Sequence, residues 1–102
     1  MEPVSRNYPP NRRMSTTHRL DVEEGRFFVS IGYTNEGEPC EVFICGPKVG
    51  SPMARLCDDS AVVLSLALQY GVPHAQLLHS LYAGRVDGSA SLLGTIIELL
   101  HQ

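Results

Sequence analysis

Residues 27–45 read FFVSIGYTNEGEPCEVFIC, and this stretch decides the fold. Phe27, Val29, Ile31 and Tyr33 alternate with Phe28, Ser30, Gly32 and Thr34. A period of two stands alternate side chains on opposite faces of a strand, and the aromatic and β-branched content favours the same state. Asn35-Glu36-Gly37-Glu38-Pro39 reads as a turn, with Asn and Gly able to take positive φ. Glu41–Cys45 predicts the next strand, its Val42 and Ile44 facing the same way as Val29 and Ile31. Upstream, His18, Leu20 and Val22 share one strand face and Arg19 and Asp21 the other, before a turn at Glu23-Glu24-Gly25. Three strands with connections this short pair most simply as an antiparallel meander.

Downstream the period changes. Ser51-Pro52 predicts a helix start, with Ser51 as N-cap and Pro52 at the first helical position. Met53, Leu56, Cys57, Ser60, Leu64 and Ala67 fall at helical steps. Val63, Leu66 and Leu68 widen the stripe, which predicts a helix buried on most sides. Gly71 closes it and Pro73 opens a second helix carrying Leu77, Leu78, Leu81 and Tyr82, ended by Gly84. After Arg85-Val86-Asp87-Gly88, a third helix capped by Ser89 or Ser91 presents Leu92, Leu93, Ile96, Ile97, Leu99 and Leu100. Part of that apolar surface either wedges between its neighbours or meets a partner. The order predicts an α+β fold, a three-stranded antiparallel sheet followed by three helices packed on one face.

Residues 1–13 (MEPVSRNYPPNRR) read as a disordered tail, frayed or docked on a partner, and 14–102 as one domain. The chain has 102 residues, 43% hydrophobic, with a formal net charge of −3, which excludes a fully disordered chain and the large barrel enzymes. Lys48 and seven scattered arginines are too few basic groups for nonspecific nucleic-acid binding. No apolar run approaches the roughly 20 residues of a membrane span, and the polar N-terminus carries no secretory signal. The expected compartment is therefore the cytoplasm, with Cys40, Cys45 and Cys57 as free thiols.

Zinc sites favour close cysteine pairs, but Cys40 and Cys45 differ in strand parity and Cys57 lies on a helix, so no metal is expected. A cysteine nucleophile needs a base and an orienting group. His18, His74 and His79 show no such link to any thiol, and Asp58-Asp59 reads as a solvated helix edge. No catalytic residue and no cofactor are expected. The loop Gly46-Pro47-Lys48-Val49-Gly50-Ser51 joins a strand to a helix N-terminus, where free N–H groups favour anions. Lys48, Gly50, Ser51 and Arg55 are the candidate ligand-binding residues there, for a nucleotide or another anion. The other reading of the loop is a glycine-dependent turn and an ordinary cap.

One further pattern spans the folded part. The run FFVSIGYTNEGEPCEVFICGPKVGS (27–51), the helix end SLALQYGVP (65–73) and SLLGTIIELL (91–100) together resemble the TSCPD-type domain near the C-terminus of adenosylcobalamin-dependent (class II) ribonucleotide reductases. The match covers roughly residues 14–100. The Thr-Ser-Cys-Pro-Asp element that names the domain is absent here, and no residue aligns with the barrel that holds the reductases' radical, cobalamin and nucleotide sites. The resemblance implies a stand-alone accessory or binding domain that is not catalytic alone. It would act through a protein partner, such as a ribonucleotide reductase or another enzyme of nucleotide metabolism, or as a homo-oligomer.

Overall fold

The computed structural model describes residues 5–83 and 90–101. Three strands, β1 (Ser15–Val22), β2 (Gly25–Tyr33) and β3 (Pro39–Cys45), precede helices α1 (Pro52–Gln69), α2 (His74–Tyr82) and α3 (Leu92–Glu98), and a short 3-10 turn follows at Leu99–His101. The sheet order is β1-β2-β3, antiparallel throughout, so the meander and the α+β class are as the alternation requires. Val29 pairs with Ile44 and Ile31 with Val42, which puts their side chains on one face. That face is the core. Phe27, Val29 and Ile31 are fully buried, with Val42 and Ile44 beside them, against Cys57, Ala61 and Leu64 of α1, Ile96 and Ile97 of α3, and Leu100. The opposite face leaves Phe28 and Phe43 exposed, so the helices cover one side only.

Each chain reversal has a local cause. Gly25 and Gly37, in the two strand connections, take φ of +135° and +86°, which glycine adopts without a Cβ clash. Ser51 caps α1 by accepting from the Ala54 amide at 3.1 Å. Gly71 (φ +87°) follows the C-cap Tyr70, and its amide and that of Val72 bond to the Leu68 and Ala67 carbonyls at 3.0 Å, satisfying the last turn. Ser91 caps α3 through the Gly94 amide at 2.9 Å. The other cap considered, Ser89, and the Gly84 stop lie outside the described residues. In the stretch before β1, Arg6 donates to the Gln69 side chain, the Asn7 amide to the Gln69 carbonyl, and Arg13 forks onto both Glu41 oxygens.

Helix α1 departs from expectation. It is not buried on most sides: Leu56, Val62 and Val63 are 61%, 59% and 67% exposed and Met53 is 39% exposed. The apolar positions span more than the stripe that one sheet contact covers. α1 lies along β3, at the sheet's edge, with Cys57, Ala61, Leu64 and Gln69 turned inward. What α1 does at that edge is specific. Ser65 Oγ accepts from the Val42 amide at 2.8 Å and donates to the Val42 carbonyl at 3.2 Å, and Gln69 Nε2 donates to the Cys40 carbonyl at 2.9 Å. Ser65 and Gln69 are one helical turn apart, as Cys40 and Val42 are one strand repeat apart. Side chains of α1 thus take the place of a fourth strand.

Candidate functional site

The loop at the head of α1 was the strongest sequence candidate for ligand binding. Lys48, Gly50, Ser51 and Arg55 do come together there, and they bond largely to one another. The Ser51 hydroxyl donates to the Lys48 carbonyl at 2.8 Å while accepting from Ala54, and Arg55 Nη1 donates to the Gly50 carbonyl at 3.0 Å. Gly50 takes φ +78°. The small hollow beside the loop, about 110 Å³, is lined by Val49, Gly50, Ala54 and also Asp58, whose carboxylate opposes an anion. Ser51→Ala should cost about 1 kcal/mol by uncapping α1, read as a lowered midpoint in urea with an unchanged slope.

The two strand thiols divide as parity requires. Cys40 and Cys57 are buried and Cys45 is exposed, all free. Burial pushes the Cys40 and Cys57 thiols up, which disfavours the thiolate that nucleophilic chemistry needs. His18 shares a hydrogen bond with Thr16 Oγ1 at 2.9 Å, and His79 lies on the exposed side of α2. Among the described residues no group of three His, Cys, Asp or Glu side chains is placed to hold a metal, and no helix is long and apolar enough to cross a membrane. On the outer sheet face Arg26, then Arg19, bond the Asp21 carboxylate at 2.9–3.0 Å and hold its pKa below the usual carboxylate value.

A second concavity is one that sequence reasoning did not anticipate. A hollow of about 360 Å³ is walled by Met53, Leu56, Leu81, Leu92 and Ile96. A second of about 480 Å³, lined by Val63, Ala67, Leu77 and Ile97, shares Leu56, Ser60, Leu81 and Leu93 with it. Together they form an apolar groove between α1 and the α2–α3 pair. Its polar lining is three serines and Asp59, which is no acid–base constellation. Chemically it can take apolar side chains presented by another polypeptide. Its signal was in the sequence, in the apolar excess on α1, but that excess reads equally as core.

A family model, the TSCPD domain, matches residues 4–101. The chain is 36% identical over 64 residues to a Vitamin B12-dependent ribonucleotide reductase of Rhodopirellula baltica, a match covering 63% of this chain and 6% of that protein. It is 30% identical over 89 residues to the protein of the same description from Agrobacterium fabrum, covering 81% of this chain and 7% of that protein. The chain therefore spans only a small fraction of the relatives it matches. No solved structure gives a significant match.

Proposed function

Because the chain belongs to the TSCPD domain family, and is thereby related to ribonucleotide reductases, we propose that it is an accessory contact module of that system. It docks on protein and makes or breaks no bond itself. The observation that supports this reading is the exposed apolar face of α1, where Leu56 and Val63 border a groove lined mainly by aliphatic side chains. Large apolar groups in this density at a surface are costly to leave in water and mark contact sites. A ribonucleotide reductase chain is the partner that the relatives suggest. The contact needs no cofactor from this domain.

Sedimentation velocity on the purified chain mixed with a Vitamin B12-dependent ribonucleotide reductase tests it. The expected result is a complex whose Kd rises at least tenfold in Leu56→Asp and in Val63→Asp, two exposed positions where a charge leaves the fold intact. A mixture that sediments as separate species, or a complex indifferent to both changes, overturns the reading.

A further inference from the structure

The two edges of the sheet are treated differently. β3 is closed by Ser65 and Gln69. β1 pairs with β2 on one side, and among the described residues no backbone hydrogen bond from outside the sheet reaches Ser15–Val22. Exposed edges are ordinarily guarded by proline, charged side chains (lysine above all), a bulge or short length; the charges on β1, Arg19 and Asp21, are of opposite sign and bond each other at 3.0 Å. β1 is eight residues long, STTHRLDV, without proline or lysine, and its register with β2 runs unbroken from Ser15↔Gly32 to Val22↔Gly25. Such an edge is a template for another strand.

We propose that β1 pairs antiparallel with β1 of a second copy of this chain, across a two-fold axis at Leu20, joining two sheets into one of six strands. Charge selects the partner and the register. To keep the core faces on one side, residues opposite each other must share parity. Centring the pair on Arg19 sets arginine against arginine, and centring it on Asp21 sets carboxylate against carboxylate; like charges directly opposite are destabilising. Centring it on Leu20 sets Arg19 against Asp21 of the second copy, twice by symmetry. On the core side the same register faces Leu20 with Leu20 and His18 with Val22. Leu20 and Val22 are only partly buried against the core, so each has apolar surface left to cover. The isologous contact closes on itself and ends at a dimer. It does not depend on the groove reading, since groove variants leave β1 untouched.

Sedimentation velocity on charge variants tests it. The parent is expected to dimerise. Arg19→Asp places acid against acid and Asp21→Arg base against base, so each alone should weaken the dimer more than tenfold, with circular dichroism confirming the fold. Mixed together, the two variants face acid with base at both positions and should form a heterodimer near the parent's affinity. In a Cys45→Ser background, Leu20→Cys should cross-link symmetrically on mild oxidation. A parent that stays monomeric at every accessible concentration, charge variants that dimerise like the parent, or a mixture that fails to pair overturns the proposal.

Discussion

Replacing Ser65 and Gln69 together, as S65A/Q69L, is expected to cost about 3–5 kcal/mol. The hydroxyl serves both the amide and the carbonyl of Val42, and the amide side chain serves the Cys40 carbonyl while accepting from Arg6. Gln69 is 4% exposed, so water does not readily replace what is lost there. Leaving a buried donor or acceptor unpaired costs about 1–3 kcal/mol each. The two losses fall on one edge and need not add. Against a domain stability of roughly 5–15 kcal/mol, the double variant should melt roughly 15–25 °C lower. Urea midpoints of the two single variants and the double variant apportion the cost. A double variant within about 0.5 kcal/mol of the parent, the ordinary range for surface changes, would mean that the edge is not closed this way. The stripped β3 edge should also pair with other chains, visible as concentration-dependent scattering below the melting point.

Gly94→Ala should destabilise by about 2 kcal/mol although alanine is the better helix former. A Cβ at Gly94 would stand 2.8 Å from Tyr82 Cζ, with the phenolic oxygen nearer still, and 3.2 Å from the capping Ser91 Oγ. An aromatic ring cannot fold aside as a flexible chain does. Overpacking costs about 1–3 kcal/mol and occasionally more, and the intrinsic gain of roughly 1 kcal/mol on replacing glycine in a helix offsets only part of it. The clash is mainly with the phenolic oxygen and the ring carbon that bears it, so Tyr82→Phe in the same chain should recover part of the loss. Thermal melts of the two single variants and the double variant supply the cycle. A Gly94→Ala protein as stable as the parent would place α3 elsewhere relative to α2.

The contrast between these residues and the strands shows which parts of the architecture local patterning could reveal. Alternation from Phe27 to Tyr33 reports side-chain direction, a property of one strand alone, and the register set Val29 against Ile44 as that alternation demands. Caps are equally local: Ser51 and Ser91 each bond an amide three residues on. Ser65 is different. In a helix it reads as a polar break in an apolar run, and its role exists only once α1 is laid along β3. Gly94 likewise reads as a weak helix residue until Tyr82 is placed over it. Val63 reads as core because apolar excess reports what could be buried, while the neighbours that arrive decide what is. At the candidate site Lys48, Gly50, Ser51 and Arg55 lie together at the head of α1, as chain order alone requires. What the sequence could not show was that Arg55 and Ser51 spend their bonds on the Gly50 and Lys48 carbonyls.

The unequal placement of the three cysteines gives the molecule a chemical clock. A maleimide or disulfide reagent meets Cys45 on the open sheet face at once, whereas Cys40 and Cys57, at 2% and 4% exposure, react only when strand and helix part. Under native conditions the lag before the second and third sulfurs are modified therefore measures how often that seam opens, with no residue substituted.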